Sequence, residues 1–167
     1  MTNSWADFFL ATAGAASALT GLLFIAVSLR PREIRESRLM VGRARSAFYA
    51  FTSISLVALL ALAATQSRWI GVAQGCVAVG TVAISARFTM AAHRSGTLNY
   101  PRALVYHAGL LVVAIGGAMR AVGGDARDYS VVLASGVMLL LGIALSNSWQ
   151  LVISHESDGA APPSEAG

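Results

Sequence analysis

Long uncharged stretches alternate along this chain with short segments that carry nearly all of its charge. Five apolar runs stand out, over residues 8–29, 46–67, 69–92, 103–119 and 129–153, and only the third is interrupted by a charge, Arg87. A helix rises about 1.5 Å per residue, so roughly 20 residues cross a bilayer core of about 30 Å. Each run is close to that length. None shows the period-two alternation that the strands of a membrane barrel require. The pattern predicts an all-α fold, an integral membrane bundle of five transmembrane helices forming one domain over 1–154. Gln66, Ser67 and Arg68 leave room for only a tight connection between the second and third runs. The third connection carries Gly96, Asn99 and Pro101, and the fourth carries Gly123 and Gly124, all turn formers. Residues 155–167, acidic and rich in Pro and Gly, have no apolar surface to bury and read as a disordered cytoplasmic tail.

The first run is distinctive within itself. From Ala11 to Gly21 every residue but Leu19 is Ala, Gly, Ser or Thr. Small side chains make few dispersion contacts with lipid but let helix backbones approach one another closely. This run is therefore expected to be the central helix, covered by its neighbours through Gly14, Ser17, Ala18 and Gly21. Leucine at Ser17 or Gly21 is then expected to overpack the bundle. A second small-residue motif, Gly71-Val-Ala-Gln-Gly75, opens the third run with GxxxG spacing.

Composition agrees with the hydropathy. The chain is 56% hydrophobic and 12% charged, whereas soluble domains carry about 25% charge. All 12 basic residues are arginine, which together with the Ala, Gly and Val richness points to a high-GC bacterial genome. The arginines sit between apolar runs and are not interleaved with aromatics, so the positive charge is not read as a nucleic-acid surface. Their distribution orients the chain. Arg30, Arg32, Arg35, Arg38, Arg43 and Arg45 lie between the first two runs, and Arg87, Arg94 and Arg102 around the third connection. Arg68, Arg120 and Arg127 fall on the other side, so an N-out, C-in topology places nine arginines inside and three outside. The positive-inside rule favours that arrangement, in a bacterial plasma membrane. The six-arginine segment is expected to lie on anionic lipid headgroups.

The residues from Ala13 to Leu29, A-G-A-A-S-A-L-T-G-L-L-F-I-A-V-S-L, resemble a pattern found in small, uncharacterised multi-pass integral membrane proteins of high-GC bacteria. The resemblance implies a helical membrane bundle organised on its first helix. It implies no activity and no catalytic residues.

Candidate chemistry is sparse. No Asp or Glu lies inside a run, which disfavours a proton- or sodium-coupled carrier. The lone Cys76 can form neither an intramolecular disulfide nor a cysteine metal cluster, and no GxSxG, HExxH or P-loop motif is present. Neither a catalytic residue nor a cofactor is therefore expected. Arg87 and His107 each lie ten residues from Thr97, at equal depth on either side of the third connection. With Arg94 and Arg102 they are expected to form a basic site for an anion or a lipid headgroup. The functional expectation is a non-enzymatic membrane protein acting through helix–helix contacts, as a homo-oligomer or as an accessory subunit of another membrane protein. The alternative is an oligomeric pore or channel, with anions as a candidate cargo and Arg87 and His107 at its cytoplasmic mouth.

Overall fold

The computed structural model describes residues 3–29, 38–63, 67–94 and 100–153. They form five α-helices: α1 (Asn3–Leu29), α2 (Arg38–Leu62), α3 (Arg68–Arg94), α4 (Tyr100–Ala121) and α5 (Ala126–Ile153). All five are long and apolar enough to cross a membrane, so the chain is a multi-pass membrane protein with an all-α bundle fold.

The helices outrun the apolar stretches. α2 begins eight residues before the run at 46–67 and ends five residues before its close, carrying Arg38, Arg43 and Arg45 in its first turns. Hydropathy reports which residues partition into lipid, whereas arginine is a good helix former and does not stop a helix. Arg30, Arg32 and Arg35 lie outside the described residues, as does the tail at 155–167, and so do the side chains of Arg38 and Arg94.

The turn between α4 and α5 follows from two glycines and an aspartate. Gly123 adopts φ +84°, a left-handed conformation that costs glycine little. Its N–H donates to the Arg120 carbonyl at 3.2 Å and the Gly124 N–H to the Met119 carbonyl at 2.8 Å, a Schellman pair that closes α4. Asp125 then caps α5, its Oδ1 accepting the Arg127 N–H at 2.8 Å.

Within the bundle, α2, α3, α4 and α5 form a ring of antiparallel neighbours, α2 meeting α3 and α5 at its two sides. α1 lies outside that ring. It packs along α2, barely reaches α5 and touches neither α3 nor α4. The central helix is α2, whose Ala47, Ala50, Ala58 and Ala61 alternate with Phe51, Ile54 and Val57, all at most 1% exposed. The expectation that the first helix is central is therefore overturned. Only 22% of its span is buried, against 44% for α2. One face, Phe9, Thr12, Ala13, Ala16 and Leu23, packs inward. Gly14, Ser17, Ala18 and Gly21 are all exposed. The physical reason is that small residues all round a helix make a smooth rod, able to approach one neighbour closely but offering no large side chains to fill space on several sides. α2 mixes both sizes and interdigitates with α1, α3 and α5, while Phe48, Leu56 and Leu59 remain exposed.

The third-run motif fares differently. A Cβ added at Gly71 would lie 2.5 Å from the Gly117 carbonyl oxygen and 2.6 Å from the Ala121 nitrogen. Here the backbones of α3 and α4 touch, and no side chain can intervene. A Cβ at Gly75 meets nothing within 4 Å, although a Cβ added at Gly117 would lie 3.0 Å from the Gly75 nitrogen. A Cβ at Gly21 also meets nothing within 4 Å, so the position has open space beside it.

Thermal unfolding in detergent should separate these positions. Gly71→Ala should lose about 1–3 kcal/mol, because backbone cannot move aside as a side chain can. Gly21→Ala should stay within about 0.5 kcal/mol of the parent, as lipid-facing changes without neighbours do. Equal melting temperatures for the two variants would contradict the α3–α4 contact.

Candidate functional site

Polar side chains between these helices gather in a group toward each end of the ring, with a buried hydroxyl pair between them. The first group lies where α2 and α4 end and α3 and α5 begin. Gln74, on the face of α3 that meets Gly117, is fully buried and donates from Nε2 to the Val57 carbonyl at 3.3 Å. One helical turn further along α2, the Leu60 carbonyl accepts a hydrogen bond from Arg120 Nη1 at 3.4 Å. The Arg120 guanidinium also lies over the Tyr129 ring, 5.4 Å from its centroid. Arg120 is 7% exposed. Its positive charge sits at the C-terminal end of α2, where unpaired carbonyls concentrate partial negative charge. By hydropathy Arg120 reads as a loop arginine outside the membrane. The signal that could have found it is its spacing: three residues after Gly117, it shares the face on which α4 meets α3.

Midway along the ring, Ser53 and Thr81 bond hydroxyl to hydroxyl at 2.8 Å, both buried, bridging α2 and α3. Thr81 also donates to the Val77 carbonyl at 2.8 Å. On the outer side of α2, the Ser17 and Ser55 hydroxyls lie 3.3 Å apart and tie α1 to it. Such bonds hold helices in register where the apolar solvent provides no hydrophobic drive for association.

The second group lies toward the opposite end, between α3 and α4. His107 Nδ1 carries its proton to the Ala103 carbonyl at 2.7 Å, which leaves Nε2 pointing across to α3. There it meets the Ser85 hydroxyl at 3.4 Å. Ser85 Oγ in turn donates to the Val82 carbonyl at 3.0 Å. Beside this pair runs an open groove of about 300 Å³, walled by Ala78, Val79 and Val82 of α3 and by Leu110, Leu111 and Ala114 of α4, with His107 closing one end.

The expected meeting of Arg87 and His107 does not occur. The residue facing His107 is Ser85, and Arg87, two positions on, lies about 200° around the helix from it and is exposed. Arg102 is half-buried and sits about 140° around α4 from His107. Equal depth along an antiparallel hairpin does not determine facing, which the helical phase sets. Within one chain, Arg87 and His107 thus lie on different faces of their helices. Of the six-arginine patch, Arg43 is half-buried and Arg45 exposed, both on helical backbone. Among the described residues, no three His, Cys, Asp or Glu side chains come together as a metal site. Comparisons with protein-family models, curated proteins and solved structures find no match.

Replacing Arg120 with Met keeps its length and removes its charge. Such a variant should lose about 2 kcal/mol of stability, since hydrogen bonds from a charged group and a desolvated cation–π contact are each worth that order. Arg127→Met, at an exposed position of α5, serves as the control and should leave the melting temperature unchanged. If the two variants melt together, Arg120 does not brace the end of α2.

Proposed function

We propose that this chain is a non-catalytic module of a bacterial plasma membrane that acts through helix–helix contact, self-associating through α1. The observation that carries this reading is the outward face of α1. Ala11, Gly14, Ala18, Gly21, Ile25 and Ser28 are all exposed, and their spacing alternates between three and four residues. That is the 3.5-residue period of a left-handed helix pair. Small residues along such a seam let two backbones approach closely, and the gain in packing and interhelical contact drives association in lipid. Two copies of α1 related by a twofold axis would present the same seam to each other, the simplest closed arrangement for identical chains. Leu10, Leu22 and Phe24, all more than 60% exposed, flank the seam and would close over its edges.

Orientation belongs to the same proposal. The arginine count places the segment from Arg30 to Arg45 in the cytoplasm, where it lies against anionic headgroups. α1 then enters from outside, and its seam runs the depth of the membrane.

Two experiments test these statements. Gly14→Leu combined with Gly21→Leu fills the seam at two positions where an added Cβ meets nothing within 4 Å in the monomer. In nanodiscs or detergent, energy transfer between labelled copies should fall about tenfold in this variant while the melting temperature holds, a loss of roughly 1.4 kcal/mol of association. Self-association undiminished in that variant would sink the α1 seam, and a monomeric parent would redirect the reading toward a different membrane partner. For topology, a Cys76→Ser, Gly42→Cys protein should resist an impermeant maleimide in intact cells and react in inverted vesicles. The reverse labelling would invert the orientation.

A further inference from the structure

The groove between α3 and α4 combines two features that point to one class of ligand. Its walls between Ala78 and Ala114 are aliphatic, and Val79 and Leu111 on its two sides are exposed on the outer surface of the bundle. Its polar end is short of a proton. Nδ1 of His107 spends its hydrogen on the Ala103 carbonyl, so a neutral imidazole offers Nε2 as an acceptor. Ser85 has a single hydrogen to give, and both the Val82 carbonyl at 3.0 Å and Nε2 at 3.4 Å are placed to receive it. One proton serves two acceptors, and a donor arriving through the groove would satisfy the second.

We propose that this groove binds a long-chain carboxylic acid, with its alkyl chain along Val82 and Leu111 and its carboxyl group on Nε2 of His107. The acid supplies the missing hydrogen. Its O–H donates to Nε2, or, with the proton transferred, the carboxylate accepts from the imidazolium, and Ser85 keeps its bond to Val82. Depth selects this head over a phospholipid's. His107 lies six residues beyond Pro101, where the α4 span begins, about 9 Å into it. A phosphodiester has no proton to give at neutral pH and stays with the headgroup layer. A carboxyl group can shed its charge and descend. Saturated and unsaturated chains fit the argument equally, because the walls are apolar throughout. The site lies on helices that α1 does not touch, so it stands or falls apart from self-association.

The test uses the full chain in phosphatidylcholine nanodiscs with carboxyl-¹³C palmitic acid as the probe. The parent protein should hold palmitate saturably, with a carboxyl resonance distinct from that of the bilayer pool. Methyl palmitate, which has the same chain and no acidic proton, should fail to compete. His107→Leu should abolish the distinct resonance and weaken binding about tenfold or more, as loss of a charge-assisted hydrogen bond does. Val82→Trp should block the groove to a similar extent, whereas Val131→Trp, at an exposed position of α5, should bind as the parent does. Competition by methyl palmitate equal to that of palmitic acid would overturn the proposal, since the groove would then take hydrocarbon whatever its head. Displacement of palmitate by an equal amount of phosphatidylglycerol would overturn it as well.

Discussion

Two helix backbones meet in this molecule with no room for a side chain between them. Gly71 and Gly117 let α3 and α4 meet without side chains between them, carbonyl oxygen against α-carbon. The contact fixes how these two helices are rotated and how far one slides along the other. Everything else on their shared face inherits that register. Gln74 and Arg120, three residues beyond each glycine, are turned inward together onto the last turns of α2. Fourteen residues beyond Gly71, Ser85 comes opposite His107, ten residues before Gly117. α5 continues the pattern on the other side of α4, where Gly109, Gly116 and Gly136 admit Leu140, Leu133 and Val113. In lipid, where apolar surface gains little by being buried, closeness of this kind and the hydrogen bonds it aligns hold helices together.

Polar groups inside the bundle follow from the same constraint. A hydroxyl or amide facing acyl chains has no water to bond, so most return to their own helix or cross to a neighbour, whereas the Tyr106 and Ser130 hydroxyls and Gln74 Oε1 are buried without a partner. Thr12, Thr20, Ser135 and Ser148 take the first course, each donating to the carbonyl four residues back. Ser53 with Thr81, Gln74 with Val57 and Asn147 with Ser46 take the second. These three bonds all terminate on α2, whereas Ser85 with His107 joins α3 to α4. α2 is thereby tied to α3 and α5 at several depths, while α1 is joined to it by apolar packing and the Ser17–Ser55 pair.

The position of α1 changes what its composition means. A helix rich in Ala and Gly at the centre of a bundle serves internal packing. The same helix at the edge turns its small residues outward. The polar pair at His107 occupies the other side of the molecule, so the two surfaces proposed to engage other molecules lie on separate helices and need not interfere.

Hydropathy along the chain determined the number of spanning helices, their order and the glycine turn at Gly123, because length and charge are properties of consecutive residues. The close approach at Gly71 was legible for the same reason, as a local spacing. Which helix sits at the centre was not. Enclosure depends on how α2 matches three neighbours at once, and no property of the 8–29 run records the shapes it would have to meet. The pairing of His107 was also beyond the sequence, since counting from a hairpin gives depth but not rotation, and a shift of two residues turned Arg87 away and brought Ser85 in. Arg120 shows the same division: its charge marked it for a loop, and only the packing of four helix ends revealed that carbonyls and a tyrosine ring hold it inside.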